Sequence, residues 1–220
     1  MEDNHPTQLS LADWKTEIIS SGVVLICLLL LIFFPTNGTM QEFSKYLLFL
    51  FILPTLYIKL ILKKKLSNFG LSLRNPRFGL VWAAMMLIVS IITISILFNF
   101  FDFANNYFLP AYLASNFWLF LFNELVLTAI IMFINVFFYQ GFILFSLIKK
   151  FGLASAIIQA LFLTLLVIST STLNWKLAPT IILSFTGGIV TYKTRSFIYA
   201  YLMSLIFMIS LDAYIIHIFK

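Results

Sequence analysis

From Phe117 to Ile148 the chain carries a single charged residue, Glu124, and is otherwise apolar or neutral. As a helix, at about 1.5 Å per residue, that stretch reaches roughly 48 Å, against about 30 Å for the hydrocarbon core of a bilayer. Six other apolar runs occur: Ile18–Phe34, Tyr46–Leu62, Gly79–Phe101, Leu153–Thr170, Leu177–Tyr192 and Phe197–Phe219. A crossing helix takes about 20 residues, with roughly 17–25 as the range. Helices are expected because a bilayer core offers exposed backbone groups no partner. Barrel strands would be shorter and would alternate polar with apolar, which these runs do not. The fold class read from the sequence is all-α: a polytopic membrane bundle of about seven transmembrane helices.

Composition agrees. Hydrophobic residues make up 62% and charged residues 10%, against about 45–50% and roughly 25% in a soluble domain. That excess excludes a soluble enzyme, a disordered tail and a disulfide-stapled secreted domain. The one cysteine, Cys27, lies inside the first run and cannot form an internal disulfide. His5 and His217 sit at opposite ends of the chain, so no metal and no cofactor is expected. Residues 1–17 form a polar, interfacial leader, with Trp14 suited to the interface. Its acidic residues and the lack of a small-residue cleavage site argue for a retained helix rather than a signal peptide. Residues 18–220 form a single membrane domain.

The net charge of +6 is explained by topology, so no nucleic acid is expected. Lys63, Lys64, Lys65, Arg74 and Arg77 follow the second run, Lys149 and Lys150 the fourth, and Lys193 and Arg195 the sixth. With seven alternating helices these share one side, and only Lys45, Lys176 and Lys220 face the other. Basic loops favour the cytoplasm, which puts the N-terminus inside and the C-terminus outside a cell membrane.

Two runs are unusual. The fourth is too long for one upright helix, and a break near Asn123-Glu124 is expected, with Glu124 near a headgroup layer. The sixth is short and contains Pro179 and Gly187-Gly188, which suits close packing or local irregularity. Ionisable residues in such segments are functional suspects; Glu124, Asp212 and His217 lie near segment ends, and Asp102 in a loop, where headgroup water can reach them. At 100° per residue Glu124, Thr128, Asn135 and Tyr139 share one helical face, a polar stripe turned toward the bundle. The candidate cavity-lining residues are Asn135, Gln140, Gln159, Thr164, Ser184 and Ser204; interhelical hydrogen bonding is their plainer role.

Four segments then stand in a suggestive order: LSNFGLSLRNPRFGL (Leu66–Leu80), NVFFYQGFILFSLIKKFG (Asn135–Gly152), IIQALFLTLLV (Ile157–Val167) and FTGGIVTYKTRSFIYAYLMS (Phe185–Ser204). Together they resemble the CAAX-protease and bacteriocin-processing (CPBP, or Abi) family of intramembrane proteases over about residues 45–210. The resemblance implies a helical membrane fold and a glutamate-activated water, oriented by histidines. In this chain the glutamate positions of the motif hold Asn135 and Val136. The arginine position holds Gln140, and the histidine positions hold Val167 (Leu166 in a shifted register) and Ser204; Met208 stands for a downstream polar partner. Valine accepts no proton, and an amide is no base near neutral pH. The catalytic set is therefore expected to be absent, leaving a pseudoprotease that binds a membrane protein or peptide helix in the lipid bilayer. The alternatives are an active endopeptidase, with Glu124 or Asp212 working beside Ser204 or His217, and a small transporter subunit.

Overall fold

The computed structural model describes residues 11–73, 75–100, 103, 107, 116–170 and 177–218, with residues 11–16 and 170 described by backbone alone. His5, Arg74, Asp102, Lys176 and Lys220 lie outside the described residues, as do the leader Met1–Leu9 and the side chain of Trp14. Among the described residues there is no strand. The helices are α1 (Leu11–Phe33), α2 (Thr39–Ile61), α3 (Pro76–Phe100), α4 (Phe117–Phe151), α5 (Ala154–Thr170), α6 (Ala178–Thr194) and α7 (Phe197–Ile218). A short 3₁₀ turn, Leu66–Phe69, lies between α2 and α3.

Four of these helices, α2, α3, α4 and α7, are long and apolar enough to cross a membrane. Their outer faces fit that environment. Nothing charged lies between Arg77 and Phe100, and Ile88, Val89, Ile91, Ile92 and Ile96 of α3 are all exposed. Water would penalise such a face, whereas lipid does not. Apolar stretches of α1 (Glu17–Phe33) and α5 (Ala154–Ser169) are shorter. Helix α6 is the inner helix, burying Leu183, Ser184, Thr186, Gly187, Gly188 and Val190 among others.

The expected break in the fourth run is replaced by one continuous helix, Phe117–Phe151. Asn116 caps its start, its side chain accepting from the backbone N–H groups of Trp118 and Leu119 at 3.0 and 3.2 Å. The polar pair is absorbed by a wide π-type turn over Asn123–Thr128, after which the Ala129 N–H reaches back five residues to the Glu124 carbonyl. Asn123 Nδ2 donates to Glu124 Oε1 at 2.9 Å, so the side chains partner each other and no break is needed. Glu124 is 1% exposed, enclosed by the protein. A helix this long exceeds the hydrocarbon core and must tilt or extend past it.

A second wide turn in α4 spans Phe137–Ile143, all seven of whose residues are buried. In α2 a wide turn at Leu48–Ile52 directly precedes Pro54. Proline removes a helical hydrogen bond and crowds the preceding turn, and the wider turn relieves that crowding.

Aromatic rings knit α2, α4 and α7 together. Phe51 meets Phe137 at 5.0 Å between centroids, and Phe137 meets Phe197 at 5.9 Å, both edge-on. At the same end of the bundle the Phe197 N–H donates to the Gly70 carbonyl at 3.1 Å. Gly70 holds a left-handed conformation, φ 87°, and any Cβ there would collide with the Phe145 ring. Gly152, in the α4–α5 turn, approaches the Tyr192 hydroxyl near the end of α6. These contacts bring the connections after α2, α4 and α6 to one end. Eight of the nine positive charges assigned there by sequence fall on described residues of that end or its flanking turns.

A candidate functional site: an uncharged cavity among four helices

The inner position of α6 follows from its glycines. A Cβ on Gly187 would run into the Gln140 amide of α4, and one on Gly188 into the Gln159 amide of α5. With no side chain in the way, both amides reach the α6 backbone one turn earlier. Gln140 Nε2 donates to the Leu183 carbonyl at 3.3 Å, and Gln159 Nε2 to the Ser184 carbonyl at 2.7 Å. The short sixth run is thus a regular helix held by close packing, with Pro179 in its first turn, where no helical bond is lost. Ser90 of α3 adds a bond to Thr186 at 3.0 Å.

Above this clasp lies a cavity of about 200 Å³. Thr128, Ile131, Met132, Asn135, Val136, Tyr139 and Gln140 of α4 form one wall. Leu163 of α5, then Thr180, Leu183 and Ser184 of α6, and Ser204 and Met208 of α7 close it. Asn135 is near the midpoint of α4 and Met208 near that of α7, so the cavity sits at mid-helix depth. No charged side chain lines it.

Of the six residues expected to line a cavity, the structure brings Asn135, Gln140, Ser184 and Ser204 together around this one. Gln159 stands one layer behind: its Nε2 also donates to the Ala156 carbonyl at 3.0 Å, and its Oε1 accepts from Ser184 Oγ at 3.3 Å. Thr164 bonds its own helix at the Ala160 carbonyl, 2.8 Å away, and does not reach the cavity. Of the family-motif positions, Asn135, Val136, Gln140 and Ser204 line it, together with Met208. Val167 instead packs against the apolar core on the α5 side. Thr128, Asn135 and Tyr139 of the polar stripe reach the cavity, and Glu124 does not. Leu163, Thr180 and Met132 carry no sequence signal that would separate them from ordinary packing residues.

Three residues of the lining each carry a buried polar atom with no hydrogen-bond partner among the described residues: Tyr139 Oη, Gln140 Oε1 and Ser204 Oγ. Their residues are 2%, 3% and 1% exposed. An unsatisfied buried polar group costs about 1–3 kcal/mol, a cost that all three atoms carry. Tyr139 and Gln140 also lie in the wide turn of α4, a feature that recurs at functional sites.

Beyond the cavity, toward the start of α4, is the acidic part of the molecule. Thr128 Oγ1 contacts Glu124 Oε1 at 3.4 Å and is the link between the two regions. Tyr107 donates to Asp212 Oδ1 at 2.7 Å, and both residues are buried. Burial, then the Asp212 carboxylate beside it, raises the Tyr107 phenol above its ordinary pKa; Glu124 adds a smaller push in the same direction. His217 is exposed near the far end of α7 and does not join this group. Among the described residues no three His, Cys, Asp or Glu side chains gather as a metal site would require.

Fold and site together define a class: an all-helical, membrane-type bundle that encloses an uncharged, largely apolar cavity. Comparison with known proteins gives no match, whether to a family model, a curated protein or a solved structure. The chemistry therefore has to be read from the side chains. Amides and an unactivated serine hydroxyl are not bases near neutral pH, and a general base must reach the proton that it takes. The lining can bind, orient and discriminate; it holds no group that would activate water.

Proposed function

We propose that this chain is a seven-span membrane binding or scaffold protein of CPBP-like design, its cavity holding a partner without cutting it. The observation that carries the reading is the neutrality of the lining: the positions where the resembled motifs call for glutamate, arginine and histidine hold Asn135, Val136, Gln140 and Ser204 around one space. The neutral, partly polar lining supports binding, and its lack of a proton acceptor argues against hydrolysis. The clustering of basic turns at one end supports a cytoplasmic N-terminus and an external C-terminus. α6, too short and polar to cross alone, would span only inside the bundle.

Photocrosslinking tests this. A photoreactive residue in place of Gln140, in native membranes, is expected to give a discrete adduct that a probe at lipid-facing Ile92 does not give. Identical labelling from both positions would contradict a binding cavity. An active peptidase is the competing reading, and Glu124, one contact from the cavity through Thr128, is the residue on which it would depend.

A further inference from the structure

Three connections meet at one end of the bundle, and none contains an acid. The Phe197 N–H bond to the Gly70 carbonyl, 3.1 Å, ties the α6–α7 turn to the α2–α3 connection. Tyr192 of α6 lies against Gly152 of the α4–α5 turn. Arg195 falls between these two contacts in the chain, and its side chain is exposed. No Asp or Glu occurs from residue 43 to 101 or from 125 to 211. Glu2, Asp3, Asp13 and Glu17 share this side in a seven-span topology, yet basic residues remain in excess there. With no carboxylate in the connections, two cations rest on aromatic rings: Lys193 Nζ lies 5.4 Å from the centre of the Trp82 ring, and the Arg195 guanidinium 5.4 Å from that of Tyr192. A ring face leaves N–H donors unused, so both can still take an anion. Arg195 and Lys63 hold left-handed conformations, φ 56° and 52°, where glycine is the favoured residue after a helix. Backbone geometry therefore does not select a long basic side chain at either. Leu71, Leu73, Phe78 and Leu153 stand exposed among these charges. Apolar side chains beside basic ones suit the boundary between headgroups and acyl chains, whereas an acidic peptide in water would leave them uncovered. We propose that this end of the bundle is a binding surface for net-anionic phospholipids, Lys193 and Arg195 taking the headgroup phosphate while exposed Lys63, Lys64, Lys65 and Arg77 add to the attraction.

The surface lies at the end of the helices, away from the mid-depth cavity, so its failure would leave the binding reading untouched. The test titrates the full chain, in a neutral detergent, with phosphatidylglycerol, phosphatidylcholine, inorganic phosphate and a hexaglutamate peptide. Lipid retained in native mass spectra and binding isotherms give the readouts. Phosphatidylglycerol should bind saturably and at least tenfold more tightly than phosphatidylcholine, and inorganic phosphate should not displace it. Lys193→Gln and Arg195→Gly should each weaken it about fivefold, the share of one basic residue at an anionic surface, and the double variant should lose the preference. Glycine suits the left-handed turn at position 195, so Arg195→Gly removes the guanidinium without straining the backbone; a thermal midpoint at or above that of the wild type separates lost binding from lost folding. Arg195→Lys should restore most of the preference. Lys45→Gln, which removes a charge from the opposite side, should leave it unchanged. Equal affinity for the two lipids, a preference that survives the folded double variant, or an equal loss in Lys45→Gln would overturn the proposal. Displacement by inorganic phosphate would reduce the surface to a site for a free ion, and tighter binding of hexaglutamate than of phosphatidylglycerol would make it a peptide site; either result overturns the proposal as well.

Discussion

Gln140 and Gln159 perform the same local task with different outcomes. Each comes from a neighbouring helix, lies over one of two consecutive glycines and grasps one of two consecutive carbonyls on α6. Gln159 is satisfied at both ends, its Oε1 accepting from Ser184 and its Nε2 donating to two carbonyls. Gln140 makes one longer bond and leaves its Oε1 unpartnered. One glutamine is engaged at both ends of its amide; the other holds α6 by a single bond. Residue type alone does not distinguish structure from function here. The count of satisfied atoms does.

The glycines beneath the two amides should give the largest effect. Gly188→Val places a branched side chain where Gln159 Nε2 and the Ala156 carbonyl already lie. Overpacking of this kind costs about 1–3 kcal/mol and occasionally more, so a severe drop in thermal midpoint or loss of folded protein in detergent is expected. Wild-type stability would show that α6 does not sit where the structure places it. Next is Gln159→Leu, which removes three hydrogen bonds at about 0.5–1.5 kcal/mol each; roughly 2–3 kcal/mol should be lost. Gln140→Leu removes one longer bond and an unpartnered oxygen, so its loss should stay below about 1 kcal/mol. Equal losses at the two positions would erase the contrast.

Tyr139→Phe should be close to neutral, or stabilising by up to about 1 kcal/mol in detergent without ligand, because it deletes a buried hydroxyl that has no partner among the described residues. Marked destabilisation would reveal a partner for that hydroxyl. The smallest effect concerns pH at the acidic end. The folded state raises the Tyr107 pKa, so the phenol's contribution is intact below its ordinary value of about 10 and is lost as pH rises above it. Tyrosine absorbance should show the late-ionising phase of the wild type shrink by one phenol in Tyr107→Phe; a late phase unchanged in that variant would contradict the Tyr107–Asp212 contact.

Much of the helical layout was legible in the sequence: five of the seven apolar runs match their helices to within three residues at each end, while α1 and α2 each begin seven residues before the apolar run. Lipid exposure demands sustained apolarity, and that signal is strong. What stayed illegible is finer than composition. A wide turn only moves backbone hydrogen bonds by one residue, so Asn123-Glu124 reads as a break while the helix continues through it. The polar stripe on α4 was visible from its spacing, but where it leaves the cavity was not, because Glu124 is turned among Asn123 and Thr128. Gln159 and Gln140 look alike in the sequence. Only the packing of α5 behind α6 decides that one is enclosed and the other faces a space. The resemblance to an intramembrane protease pointed to residues 135, 136, 140 and 204, and the helices bring those four to one cavity. Position 167 lies elsewhere in the core.

The decisive measurement is hydrolysis itself. Wild-type protein in proteoliposomes, incubated with a library of fluorogenic membrane-spanning peptides, is expected to leave every peptide intact, because no proton acceptor lines its cavity. Cleavage by the wild type that disappears in a folded Glu124→Gln variant would contradict a non-catalytic binding role and make Glu124 the base.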